Sequence, residues 1–169
     1  MKSTRRLVVS ALFVAMTCVA TMIIRVPTPG TGGYANLGDA IVLLGAFLLP
    51  APCAAAAAGI GSGLADLLSG YPLYIPATVC IKALSALIAS AIARKALKRA
   101  KPALKRSVGA VAAEAEMVIG YLIYEAAVLG YGAGAIASVP ANIAQGIVGI
   151  AAALALTPLL EKFSKLSEL

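Results

Sequence analysis

The sequence contains no histidine and few charged residues, and both shortages restrict what the protein can do. Without histidine there is no imidazole to serve as a metal ligand or as a general base near neutral pH. Charged residues make up 12% of the chain, whereas soluble globular domains have about 25%. The hydrophobic fraction is 61% and the mean hydropathy is +0.95. Such a composition is typical of a membrane protein rather than a soluble enzyme.

Cysteine is also scarce, and the motif that binds nucleotide phosphates is missing. Cys18, Cys53 and Cys80 lie in or beside apolar runs, with a spacing that fits neither a zinc site nor a disulfide framework. No lysine follows a glycine, which excludes the loop G-x-x-x-x-G-K-[ST]. We therefore expect no metal and no cofactor. If ATP drives this protein, another subunit must hydrolyse it.

Long apolar runs fill most of the chain. Its 169 residues can hold about six spans of ~20 residues with short loops between them, which leaves no room for a soluble catalytic domain. Charge, proline and glycine delimit helices at roughly 7–24, 37–49, 53–69, 77–97, 108–130 and 139–160. Pro50 and Pro52 separate the second helix from the third. The sequence predicts an all-α polytopic membrane protein with about six transmembrane helices, in which residues 1–169 form a single transmembrane substrate-binding domain.

Basic residues are concentrated in three places. All but two of the fourteen Lys and Arg residues lie near the N-terminus, within residues 94–106, or near the C-terminus. The exceptions are Arg25 and Lys82. With six spans these three places share one side of the membrane, and the positive-inside rule assigns that side to the cytoplasm. We predict a multi-pass plasma-membrane protein with both termini cytoplasmic. The basic run anchors the chain in the lipid membrane, so nucleic acid is not an expected partner.

Ionisable residues inside the predicted spans are costly in a membrane and usually mark function. Asp66, Lys82 and Glu125 lie toward the outer end of their helices. Asp66 and Lys82 form either a structural ion pair or contacts to a ligand. Glu114 is interpreted as facing the basic loop near the cytoplasmic surface. Glu116 lies deeper in the bilayer.

The tyrosines show the same bias toward the outer side. An interfacial aromatic belt would occupy both surfaces, so a one-sided set indicates either an outer anchor or an outward-facing pocket whose rings stack on a flat ligand. Tyr121 and Glu125 are four residues apart and share a helix face. The tyrosines are Tyr34, Tyr71, Tyr74, Tyr121, Tyr124 and Tyr131. The candidate substrate-binding residues are Tyr34, Asn36, Asp66, Lys82, Glu116, Tyr121, Tyr124, Glu125, Asn142 and Gln145.

Small residues four apart occur in two helices. Ala11 and Ala15 form such a stripe in the first helix, and Gly59 and Gly63 form one in the third. Stripes of this kind allow close helix packing. They serve either a partner protein or packing within the subunit.

These features together resemble the S component of an energy-coupling factor (ECF) transporter, a six-helix membrane protein that captures vitamins or their precursors. The resemblance is closest to the riboflavin-type and hydroxymethylpyrimidine/pyridoxine-type branch. It implies a small vitamin-like substrate, a site between the first outer loop and helices four to six, and docking of a transmembrane coupling protein at Ala11 and Ala15. It also implies two cytoplasmic ATPase subunits as partners. The matching segments are Tyr34–Asp39, Gly59–Gly70, Ile81–Ala83, Gly120–Glu125 and Val139–Gly146.

Two other functions remain open at the level of the sequence. A small membrane enzyme would need a metal-binding acidic motif or a catalytic pair, and the scattered carboxylates show no such spacing. An autonomous secondary transporter or oligomeric channel would work without ATPase partners. In that case Glu116 would carry the proton.

Overall fold

Six α-helices make up the computed structural model, which describes residues 2–28, 30–95 and 99–166. Five helical stretches in these ranges are long and apolar enough to cross a membrane. The predicted all-α polytopic fold is confirmed. Residue 97, where the fourth helix was predicted to end, and Lys98 lie outside the described residues. The helices are α1 (Lys2–Ile23), α2 (Gly38–Leu48), α3 (Ala51–Ser69), α4 (Ile75–Lys95), α5 (Pro102–Ile123) and α6 (Val139–Leu166).

The second helix is shorter than a full span. It has 11 residues, whereas crossing the hydrocarbon core takes about 20. The segment before it is an antiparallel hairpin of β1 (Arg25–Pro27) and β2 (Tyr34–Asn36). At its other end, the Arg94 guanidinium of α4 donates to the carbonyl oxygens of Ala46 and Leu49. The short helix is therefore flanked by the hairpin at one end and held by Arg94 at the other.

The last two helices join through irregular helical turns. α5 begins at Pro102, six residues before the predicted start at 108, and therefore includes the basic residues Lys105 and Arg106. Beyond Ile123 it continues as a π-helical turn, Tyr124–Val128. A 3₁₀ helix, Gly132–Ser138, then leads directly into α6. Single π-helical turns often occur at functional sites.

The apolar core lies at the end of the bundle that carries the basic residues, which we call the basic end. Nine of its fourteen buried residues are alanine, and such small side chains let helix backbones approach closely. At Gly109 on α5, an added Cβ would lie 2.9 Å from the Ala89 carbonyl oxygen on α4. The core residues are Phe13, Val42, Leu43, Leu44, Ala46, Leu49, Ala54, Ala57, Ala58, Ala86, Ala89, Ala110, Ala113 and Ala153.

The two small-residue stripes have different surroundings. The glycines of α3 pack within the subunit. An added Cβ on Gly59 would lie 2.8 Å from the Val79 carbonyl oxygen of α4, and one on the neighbouring Gly61 would lie 2.7 Å from the Val14 carbonyl oxygen of α1. Ala11 and Ala15 are exposed. The interpretation as packing within the subunit thus holds for α3 and not for α1.

Candidate ligand-binding site

A polar cavity opens between the helices at the end of the bundle remote from the basic residues, which we call the cavity end. Its free space is about 20 Å³, room for about one water molecule. It contains eight of the ten predicted substrate-binding residues. The lining residues are Thr21, Thr28, Gly33, Tyr34, Asn36, Ser62, Asp66, Tyr74, Thr78, Lys82, Tyr121, Glu125, Asn142 and Gln145.

The floor of the cavity is an ion pair held by an amide. Lys82 is 2% exposed, and its Nζ lies 2.5 Å from Asp39 Oδ1. Gln145 Nε2 donates to Asp39 Oδ2 at 2.5 Å, and Gln145 Oε1 accepts from the backbone N–H of Asn36 at 2.6 Å. Lys82 Nζ also lies 5.5 Å from the centre of the Tyr121 ring. The alternative of an Asp66–Lys82 pair is therefore wrong, because Asp39 is the partner of Lys82.

Asp39 is the ionisable residue that sequence reasoning missed. Nothing in the sequence indicated a contact between its carboxylate and Lys82. Asp39 is 1% exposed in the first turn of α2. The short α2 starts at the depth of the cavity floor, and this brings the carboxylate to the lysine.

One wall of the cavity joins the hairpin to α3. The Tyr34 hydroxyl donates to Asp66 Oδ1 at 2.6 Å. Burial, and then the Asp66 carboxylate, raise the pKa of Tyr34 above its usual value. The phenol therefore stays protonated and remains a hydrogen-bond donor at any physiological pH. Asp66 is 3% exposed.

A second carboxylate lies in the cavity lining. Glu125 lies in the π-helical turn and is 2% exposed. The Tyr74 hydroxyl donates to one of its oxygens at 3.0 Å, and the Ser138 hydroxyl donates to the other at 2.5 Å. Burial and Glu125 raise the pKa of Tyr74, so this phenol also remains a donor. Gly33 of the hairpin packs on this group: an added Cβ would lie 3.1 Å from the Tyr74 hydroxyl oxygen.

Two of the ten predicted residues lie outside the cavity lining. Glu116 accepts from the Ser85 hydroxyl at 2.6 Å, and the Tyr124 hydroxyl donates to the Leu73 carbonyl oxygen. The interpretation of Glu114 as facing the basic loop is wrong. It is 5% exposed and packs against Gly146 of α6, because a glycine there leaves space for the side chain.

The aromatic rings pack mainly on one another. Ring centres are 4.6 Å apart for Tyr34 and Tyr71, and 5.9 Å apart for Tyr74 and Tyr124. Of the six tyrosines, Tyr34, Tyr74 and Tyr121 line the cavity. The outer-side clustering of the sequence thus corresponds to a ring cluster around the mouth, part of which reaches the site.

Several hydroxyl residues of the lining were also missed, although the sequence contains a usable signal. Ser62 lies four residues before Asp66, and Thr78 lies four residues before Lys82. Residues four apart share a helix face. A hydroxyl one turn from a buried charge therefore indicates the same polar wall.

Comparison with known proteins agrees with this architecture. Residues 1–162 match the family described as "ECF-type riboflavin transporter, S component". The chain belongs to this family. It is therefore a transporter subunit of a family that handles vitamins, and a multi-pass membrane protein. The S component is also 33% identical over 132 residues to a Pyrococcus woesei protein described as "Uncharacterized protein in gap 3'region", an alignment that covers 78% of this chain and 85% of the relative.

Proposed function

We propose that this S component binds a small heteroaromatic vitamin, or a precursor of one, in the cavity near the outer membrane surface. A transmembrane coupling protein then carries the bound subunit through the transport cycle, and two cytoplasmic ATPase subunits supply the energy. The observation that supports this proposal most directly is a cavity at one end of the bundle, lined by buried polar groups, above a close-packed core at the other end. A capture subunit needs this arrangement, because it must bind from one side without leaking to the other.

The ligand must enter by movement of the lining, since free space of about 20 Å³ is too small for a vitamin. The hairpin is the element best placed to move. It supplies Thr28, Gly33, Tyr34 and Asn36 to the lining. Its polar attachments to the helices include the bonds from Tyr34 to Asp66 and from Asn36 to Gln145. Displacing it would break these bonds and expose the polar floor.

An autonomous proton-coupled transporter gains no support from the geometry. Its proposed proton carrier, Glu116, is half-buried and bonded to Ser85, outside the cavity lining. Among the described residues, the core between the cavity and the basic end is mostly alanine, leucine and valine. We therefore retain the capture subunit as the proposed function.

Ligand binding by the purified subunit tests the proposal, with Asn142→Ala as the informative variant. Asn142 is 6% exposed and lines the cavity, and no hydrogen bond to its side chain is found within the described ranges. Its truncation therefore removes a contact to the ligand without breaking one in the protein. We expect calorimetry without ATP to show binding of riboflavin or a related vitamin, weakened roughly 5- to 100-fold by the change.

Thr157→Ala is the matched control. Thr157 is also buried on the same helix, but at the basic end, where its hydroxyl donates to the Ala153 carbonyl oxygen. The Thr157→Ala variant should bind the ligand with the same affinity as the wild type. Equal binding by the Asn142 variant would move the site elsewhere, and absence of binding to any vitamin would contradict the proposed function.

The orientation in the membrane is part of the proposal. We infer that the basic end is cytoplasmic and the cavity end external, as the positive-inside rule requires. Single cysteines at positions 101 and 71, in a background lacking Cys18, Cys53 and Cys80, should be distinguished by an impermeant thiol reagent on intact cells. Position 71 should react and position 101 should not. Labelling at position 101 would reverse the orientation.

The exposed face of α1 is the proposed docking surface for the coupling protein. In the most apolar segment of α1, 22% of the residues are buried, whereas the share in α3 is 50%. Most of α1 is therefore free to contact lipid or another protein. Ala11 and Ala15 lie on this exposed side. A groove lined by Arg6, Leu7, Ser10, Pro52, Cys53 and Ala56 lies beside them, between α1 and α3. A partner helix could approach closely there.

A further inference from the structure

Three buried polar atoms on one wall of the cavity have no hydrogen-bond partner in the described structure. They are Thr21 Oγ1 on α1, and Ser62 Oγ and Asp66 Oδ2 on α3. The three residues are 3%, 2% and 3% exposed, and all line the cavity. The Thr78 hydroxyl interacts with the Asp66 carboxylate, but Oδ2 has no hydrogen-bond partner. Buried groups of this kind are normally paired, so three together require an explanation.

The rest of the lining differs, because its charged groups are already satisfied by the protein. Lys82 pairs with Asp39, which also accepts from Gln145. Glu125 accepts from Tyr74 and Ser138. A ligand that bonded to these groups would have to displace a protein partner. A ligand that bonded to Thr21, Ser62 and Asp66 would instead pair with atoms that have no partner in the protein.

We propose that Thr21, Ser62 and Asp66 form the hydrogen-bonding subsite that recognises the polar edge of the ligand. This inference rests on the proposed function and specifies how the same cavity selects its substrate. Asp66 Oδ1 already accepts from Tyr34, so Oδ2 takes an N–H or O–H donor of the ligand. The two hydroxyls donate to carbonyl oxygens or ring nitrogens. The substrate class is a ring with donors and acceptors on one edge, as in a cyclic amide or imide.

The charges around the cavity restrict the class of ligand further. Lys82 is the one cation of the described lining, and Asp39 compensates it at 2.5 Å. Arg25, the other basic residue at this end, lies on the exposed edge of the hairpin and outside the lining. The positive end of α2 carries Asp39, and its first N–H donates to Asn36 Oδ1. A phosphate or carboxylate at the subsite would meet Asp66 without a compensating cation, so the recognised edge is not anionic.

Removing the Ser62 hydroxyl should separate binding from structure. Because this hydroxyl has no partner in the free protein, Ser62→Ala should leave the melting temperature of the ligand-free subunit unchanged or slightly higher. The same change should weaken binding of the ligand roughly 5- to 100-fold. A hydroxyl with a structural role would give the opposite result for stability.

Asp66→Asn tests the direction of the hydrogen bond. The asparagine keeps the shape, and its carbonyl oxygen can still accept from Tyr34, which points its NH₂ group at the donor of the ligand. Two donors then face each other, so we expect a loss of at least about 10-fold in affinity. The matched control is Ser90→Ala: Ser90 is 0% exposed and its hydroxyl also has no partner, but it lies outside the cavity lining.

The experiment measures the affinity of each purified variant for riboflavin, pyridoxine and hydroxymethylpyrimidine. It also measures the melting temperature of each variant without ligand. The inference is supported if Ser62→Ala and Asp66→Asn bind more weakly while Ser90→Ala does not. It is overturned if both variants bind like the wild type, if Ser90→Ala loses as much affinity, or if Ser62→Ala loses affinity and stability together. Should Asp66→Asn not fold, Ser62→Ala decides. If the wild type binds none of the three compounds, the proposed function fails and this inference with it.

Discussion

The two ends of the bundle use the same helices for opposite purposes. On α4, Thr78 and Lys82 line the cavity, whereas Ala86 and Ala89 belong to the alanine core one or two turns further on. On α6, Gln145 holds the cavity floor and Ala153 packs in the core. The cavity end therefore contains buried charges and buried polar atoms without a hydrogen-bond partner, and the basic end is filled by close backbone packing. The comparison shows how one short chain combines a binding site with a rigid base.

Each end has its own source of stability. At the cavity end, the buried charge of Lys82 is paired with Asp39, because an unpaired charge in a membrane is very costly. At the basic end, stability comes from van der Waals contact between small residues. Mutations at the two ends should therefore differ in their effects on stability and on ligand affinity.

The largest effect on the isolated subunit is expected from Lys82→Met. This change leaves Asp39 buried without its cation, and breaking a buried ion pair costs about 3–5 kcal/mol. Unfolding of the purified protein in one detergent, followed by heat or denaturant, measures the loss. The double variant Asp39→Asn/Lys82→Met removes both charges and should recover most of it.

This pair of variants also tests the description of the cavity floor. Recovery in the double variant would show that the cost arises from an uncompensated charge rather than from lost packing. A single variant as stable as the wild type would mean that the ion pair does not hold the floor together. Equal losses in both variants would assign the effect to the volume of the lysine side chain.

A smaller loss is expected from overpacking the basic end. Gly109→Val places a side chain against the Ala89 carbonyl oxygen, which would lie 2.9 Å from the new Cβ, and overpacking typically costs about 1–3 kcal/mol. The folded fraction should bind ligand with unchanged affinity, since Gly109 is far from the cavity lining. Gly134→Val is the control, because an added Cβ there meets no atom within 4 Å. A fall in affinity without a fall in stability would contradict the separation of the two ends.

The smallest effect on the subunit itself is expected from Ala15→Trp. Ala15 is exposed, so a large side chain there should change neither the stability nor the ligand affinity of the isolated protein. It should abolish pull-down of the coupling protein and ATP-dependent uptake, because the close approach of a partner helix would be blocked. Val111→Trp is the control on α5, where Val111 is 57% exposed. Normal assembly and uptake by the Ala15 variant would rule out the stripe as the docking surface.

The sequence alone determined the class of the protein and the general place of the site. Composition and hydropathy identified a polytopic helical protein, because lipid accepts only long apolar helices or closed barrels. The grouping of Asp66, Lys82, Glu125, Asn142 and Gln145 at one end of their helices followed from counting residues along each helix, since a helix rises by a fixed ~1.5 Å per residue. Eight of the ten predicted residues consequently lie in the cavity lining.

Only the tertiary structure decided which of these groups are partners. The sequence gives depth along a helix, but not rotation about its axis or the distance to a neighbouring helix. The lysine therefore pairs with Asp39 rather than Asp66, and Glu114 turns toward α6 instead of the basic loop. The β-hairpin could not be inferred either, because pairing between Arg25–Pro27 and Tyr34–Asn36 depends on how the chain between α1 and α2 folds back on itself. The vacant atoms of Thr21, Ser62 and Asp66 emerge only when every other hydrogen bond has been placed, since pairing is a property of the whole assembled bundle.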